Sequence, residues 1–184
     1  FTKARSRMQA RPGWAGPRKF EQGGFSDQLK LALDKGDTQK MLDLAGYGID
    51  LNIRDQNRAT PLIVVAALGN LANVTYLISQ GADPKLTGVY YTDAAKKAPL
   101  GSLVGIAVHR NDGDMLTYFI EGLGLPVDGR EAKGTGGTGG YTPVERAALK
   151  GNTTLINYLL EHGASPSASK AAVLYALESK KPDL

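Results

Sequence analysis

Apolar residues along this chain come in short helical periods, interrupted at regular intervals by Gly-Asn or a related pair. Residues 142–166, TPVERAALKGNTTLINYLLEHGASP, show the pattern most clearly. A Thr followed by Pro is a strong helix start, and it predicts a helix over about 143–150. Gly151-Asn152 stops that helix. Leu155, Ile156, Leu159 and Leu160 then fall on one face, predicting a second helix over about 154–162 closed by Gly163. Neither helix is long enough to persist alone in water, so the pair must stack on units of its own kind.

The unit recurs. Residues 60–84 read TPLIVVAALGNLANVTYLISQGADP, and Gly69 and Gly81 repeat the interval between Gly151 and Gly163. Residues 25–52 form a degenerate first copy, with Ser26 or Asp27 as the expected cap, a helix running to Lys35, and glycines at 36 and 48. Its second helix takes its apolar face from Met41, Leu42 and Leu44. Residues 102–128 form a drifted third copy, in which Ser102 replaces Thr and Asn111 stands where Gly is usual. Met115, Leu116, Phe119 and Ile120 keep its second helix amphipathic.

The TPL start, the paired alanines, the Gly-Asn break and the closing GAD together resemble the ankyrin repeat. The resemblance covers residues 25–166 and is strongest over 60–84 and 142–166. It implies an all-α solenoid of about four helix-turn-helix repeats with long connecting loops. The starts at 60, 102 and 142 exceed the family period of about 33 residues. The surplus lies in two loops, 85–101 and 129–141. Arg58 stands where the family has Gly, at a cost of about 1 kcal/mol if the turn is unchanged, so a departure from the standard turn is expected. The His that usually follows TPL is replaced by Ile63, Gly105 and Glu145. That loss predicts weaker ties between repeats and a domain that gains stability from assembly. After the last repeat, residues 167–184 predict a C-terminal capping helix with Ala172, Val173, Tyr175 and Ala176 turned inward.

Charge separates one further region. The chain carries a net +4, yet residues 1–24 hold six basic residues against one acidic, leaving 16 basic and 17 acidic in the remainder. Pro12-Gly13, Gly16-Pro17 and Gly23-Gly24 break any period there. The segment reads as an extended basic tail that lies along a partner. Trp14 and Phe20 would be its apolar anchors, and Arg5, Arg7, Arg11 and Arg18 would pair acidic or phosphate groups. The chain begins at Phe. With a basic, acid-poor start this suggests a protein processed on import into an organelle, a plastid ahead of a mitochondrion, with the cytoplasm as the alternative.

Candidate chemistry adds little. Zero Cys excludes disulfides and thiolate metal sites, and no apolar run is long enough to span a bilayer. The loop KGTGGTGG has its Lys before the glycines, the wrong end for a phosphate loop. His109 is expected at an exposed concave position, and neither it nor His162 has a ligand partner at metal spacing. Nothing resembles a nucleophile motif, and Asp112, Asp114 and Glu121 read as solvated carboxylates. The expectation is no enzyme activity, no cofactor and no metal. Tyr90-Tyr91, on a projecting loop, is either tucked against a neighbouring repeat or an exposed anchor.

By the resemblance, partner contacts would come from Ala67, Leu68, His109, Arg110, Leu149 and Lys150, and from turns holding Gln56, Asn57, Tyr90, Tyr91 and Tyr141. The implied role is protein binding. The expectation is a non-catalytic subunit held permanently in a large organelle complex, photosynthetic or respiratory, and at a membrane only through that complex. One alternative is a transient peptide-binding adaptor. Another is an RNA-associated subunit of an organelle ribosome, binding through the tail.

Overall fold

The computed structural model describes residues 24–91, 99–128 and 141–165. The tail, the Gly-rich loop over 129–140 and the expected capping helix lie outside the described residues. Four helix pairs follow one another: α1 (Phe25–Lys35) with α2 (Thr38–Ala45), α3 (Pro61–Leu68) with α4 (Leu71–Ser79), α5 (Leu103–Arg110) with α6 (Gly113–Thr117), and α7 (Pro143–Leu149) with α8 (Thr153–Glu161). The first helices α3, α5 and α7 pack on one another in a row, whereas the second helices of these pairs are splayed. The first-helix side is therefore the inner, tighter side of a solenoid.

Every α-helix start after the first is fixed by a side chain that satisfies an orphan amide of the first turn. Thr60, Ser102 and Thr142 cap the inner helices by accepting from Ile63, Gly105 and Glu145 N–H groups. Asp37, Asn70, Asp112 and Asn152 do the same for the second helices. Asp112 is thus a cap and not a merely solvated carboxylate. Thr142 goes further: its own N–H donates to Glu145 Oε2 at 2.9 Å, completing a capping box. In the first repeat the expected cap is corrected. The helix starts at Phe25, ahead of both expected caps, with Gly24 as an N-cap that lends no side chain. Phe25 stacks on Tyr47 at a centroid distance of 4.5 Å, and this ring contact sets the start instead.

The core runs continuously through the stack. Pro61, Leu62, Ile63, Val64, Val65 and Ala66 are all buried. An eight-residue helix apolar on every side can be stable only in the middle of a packed body. In the third repeat the second helix ends in a π turn over Tyr118–Gly122, where Leu123 N–H donates to Tyr118 O at 3.0 Å. The wider turn places both Phe119 and Ile120 in the core.

The turn at 55–59 corrects the expectation drawn from Arg58. Arg58 takes the left-handed conformation, φ 63°, that Gly would take. Asp55 Oδ1 accepts from Asn57 N–H at 2.8 Å and Ala59 N–H at 2.7 Å, which closes the turn around it. Asn111 likewise adopts φ 60° in place of Gly, as Asn can at modest cost.

The loop after the second repeat is pinned to this turn. Val89 N–H donates to Asn57 O, and Gly88 N–H to Gly101 O, both at 3.0 Å. A two-residue antiparallel bridge pairs Tyr90 with Leu100 and Tyr91 with Pro99. This small sheet, β1 (Tyr90–Tyr91) with β2 (Pro99–Leu100), is the one departure from an all-helical description among the described residues.

Candidate interaction surface

The last residues of the inner helices form a row. Leu68 and Leu149 are 53% and 62% exposed, and Arg110 and Lys150 are exposed beside them. Large apolar side chains usually turn inward. Here they cannot, because each is the final residue of its helix, beyond the face that meets the neighbouring repeat.

The cations of the row reach backwards across the stack. Arg110 Nη1 donates to Ala67 O at 2.7 Å, and its guanidinium lies against Gly69, where any side chain would collide with it. Lys150 Nζ donates in the same way to His109 O. Each cation therefore caps an orphan carbonyl at the C-terminus of the preceding inner helix, where the helix dipole favours positive charge. Further ties join other levels. Asn152 pairs with Asn111, Asp83 N–H donates to Asn52 Oδ1 at 2.8 Å, and Ser165 N–H donates to Asp128. The inter-repeat ties expected to be missing with the family His are thus supplied by other residues.

His109 is half-buried, not exposed as expected. Its Nδ1 lies 3.2 Å from Arg146 Nη1. A guanidinium can only donate, so Nδ1 accepts and the ring proton sits on Nε2. Burial first, then the charges of Lys150, Arg146 and Arg110, lower the His109 pKa from 6.5 to about 4. Burial, and then Arg146, also lower that of Lys150. Arg146 itself is buried and lies 5.8 Å from the Tyr141 ring centroid, a cation–π contact. Arg146 escapes notice in the sequence, because its position inside the fourth inner helix does not show which neighbour it meets.

A pH dependence follows. The unfolded His109 takes up a proton near its ordinary value, and the folded ring only near 4. Stability is therefore undiminished above about pH 6.5, falls as pH drops through the window, and levels off below about 4. After solvent screening the loss is about 1 kcal/mol. His109→Gln, which keeps an acceptor for Arg146, should abolish that part of the slope in urea denaturation at stepped pH. An unchanged slope would show that His109 does not carry it.

The remaining candidates divide. Gln56 is exposed and Asn57 half-buried in the 55–59 turn. Tyr90 is half-buried and packs on the core, so it is tucked rather than free. The backbone of Tyr91 is in the bridge, but its side chain lies outside the described residues. Tyr141 is exposed beside Arg146. Arg5, Arg7, Arg11, Trp14, Arg18 and Phe20 lie outside the described residues. Glu121 and His162 are also not idle. Glu121 Oε1 accepts from Tyr158 Oη at 2.8 Å and lies 3.2 Å from His162 Nε2, tying the third repeat's π turn to α8. Among the described residues, no three His, Cys, Asp or Glu side chains gather as a metal site, and no helix is long and apolar enough to cross a membrane.

The ankyrin-repeat family model matches residues 57–88 and 139–171, ranges that contain the second and fourth helix pairs. The third pair, between them, is built on the same plan with Ser102 and Asn111 in the key positions. The chain is also similar to an L-asparaginase of Dirofilaria immitis, at 26% identity over 159 residues. That alignment takes in 77% of this chain and 27% of the relative, so the chain spans about a quarter of the length of the protein it matches.

Proposed function

This chain is an ankyrin-repeat protein, and on that premise we propose that it is a non-catalytic interaction module whose inner row holds another protein. The observation that carries this reading is the exposure of Leu68 and Leu149 on the inner side of the stack, in line with Arg110 and Lys150. Apolar anchors bordered by charge are the composition of a protein-binding patch. The polar groups near the row are committed to capping and inter-repeat bonds, which suits a scaffold better than a catalyst.

The finer reading is a subunit held in a larger assembly, with the net +5 of residues 1–24 acting as a tether. The same basic, acid-poor composition supports an organelle location. A photo-crosslinking residue at position 68 or 149 of the full chain, expressed in cells, should trap a protein partner. The same residue at the solvent-facing Asn157 of α8 should trap far less. Equal labelling at all three positions would refute the inner row as the binding face. Deleting residues 1–24 should then lower co-purification of the trapped partner. Full retention would remove the tether and leave a transient adaptor.

A further inference from the structure

Each repeat after the first docks on its predecessor through corresponding positions. Five residues before the left-handed residue that closes each inner helix stand Val64, Ile106 and Arg146, and all three are buried. Arg146 makes its contact with His109 of the preceding repeat. On the second helices, Met115 and Leu155, three residues after their caps, are buried. Tyr158, six residues after its cap, reaches Glu121 of the preceding repeat. In the first repeat the corresponding positions hold Leu31, Lys40 and Asp43, and all three are exposed, Leu31 by 55%. The N-terminal end of the stack thus keeps a large apolar residue where every later repeat has a covered one, and sets charges around it.

We propose that residues 12–23 turn back over this end and cover Leu31 with the Trp14 indole, so that a segment of the chain itself closes the stack. Shape, reach and charge argue for this occupant. A second copy laid flat on the end would bury Lys40 and Asp43, which is costly for charged groups. A single strand of chain along α1 covers Leu31 and leaves both in water. Trp14 stands ten residues before Gly24, a span of up to about 33 Å, whereas Leu31 lies only about 10 Å along α1 from Gly24. Gly23-Gly24 gives the chain the freedom to reverse there. Residues 1–24 carry six basic residues against one acidic, and residues 25–52 carry five Asp against three Lys. Asp27 is exposed one helical turn before Leu31, on the side from which the segment enters. Asp34, one turn after, is held by Lys30 at 2.8 Å. Covalent attachment raises the local concentration to about the millimolar range, so a contact too weak to join separate molecules persists within one chain. Arg5, Arg7 and Arg11 lie beyond Trp14 and stay available to the tether described above.

Trp14 is the single Trp of the chain, so its fluorescence reports this contact alone. The test compares acrylamide quenching of the full chain with that of a synthetic peptide of residues 1–24. The full chain should be quenched several-fold less, with its emission moved to shorter wavelengths. Leu31→Lys should restore the quenching of the free peptide. Leu31 is exposed, so this change leaves the core intact. Leu31→Ala, which alters no charge, should restore part of it, and so should Asp27→Lys. Leu68→Lys, on the inner row, should leave the indole shielded.

Quenching of the full chain equal to that of the peptide would overturn the proposal. So would shielding that survives Leu31→Lys, which would seat the indole elsewhere, or shielding lost in Leu68→Lys, which would seat it on the inner row. Shielding that grows with protein concentration would make the occupant a second copy and overturn it as well. Capture of a partner at positions 68 and 149 is a separate readout, so the binding face and the closed end are tested apart.

Discussion

Phe119→Ala should cost about 3–5 kcal/mol of stability, the usual range for emptying a buried aromatic site. The ring is among the largest fully buried side chains and has no measurable exposure. It sits in the π turn over Tyr118–Gly122, so the backbone around it is already fixed by a wide hydrogen-bonded loop. Leu125 N–H, for example, donates to Phe119 O at 3.0 Å. Such a backbone cannot easily collapse into the cavity. The loss is a large share of the stability of a domain this size. In a solenoid each repeat leans only on its neighbours, so damage should spread to the fourth repeat through the Glu121–Tyr158 bond. Urea denaturation followed by far-UV circular dichroism should show either a single transition moved well to the left or an early phase for the last two repeats. Phe119→Leu, which leaves less empty space, should cost clearly less. A midpoint for Phe119→Ala close to that of the parent chain would mean that the π turn can close over the gap.

The second large effect is expected at Gly88. A Cβ there would stand 2.6 Å from Ala59 Cα and 2.7 Å from Arg58 C. Both are backbone atoms, so no rotamer change relieves the clash. Gly88→Ala must push the 84–91 loop away from the 55–59 turn. That separation breaks the Val89–Asn57 and Gly88–Gly101 bonds and strains the bridge made by Arg54, whose Nη1 donates to Arg58 O at 2.8 Å and to Thr87 O at 2.5 Å. With two bonds lost at about 1 kcal/mol each and the two from Arg54 weakened, the expected loss is about 2–3 kcal/mol. Hydrogen exchange should show the Val89 amide unprotected while amides of α7 and α8 stay protected. Protection at Val89 equal to the parent chain would contradict the account. The consequence also reaches the left-handed Arg58, which is held where the loop presses on it.

Much of the fold could be read directly. Thr60, Thr142 and the glycines at 36, 69, 151 and 163 mark turns through sterics and short-range hydrogen bonds, which act within a few residues. The solvent-facing residues Leu68, Arg110, Leu149 and Lys150 could also be located, because the last position of an inner helix is defined by the turn that follows it. The capping box at Thr142 goes unread in the sequence, where Glu145 stands only as the replacement of the family His. Its signal is the Glu three residues after the Thr. The reading of Arg58 failed for a physical reason. Local preference argues against φ 63° there, but Asp55 and a loop thirty residues downstream together outweigh the cost of about 1 kcal/mol.

The sequence by itself determined the repeat, its caps and its breaks, because these depend on interactions between residues close in the chain. Only the tertiary structure decided what the substitutions in those repeats do. Arg110 and Lys150 cap the carbonyls of the preceding repeat, Arg146 meets His109, and Glu121 meets Tyr158 and His162. Those partners lie about forty residues apart, and their meeting depends on how one helix pair is rotated and shifted on the next. Packing of the apolar faces sets that register. It assigns a role to each polar residue at the seam, and those roles, more than the helices, give the inner face its charge.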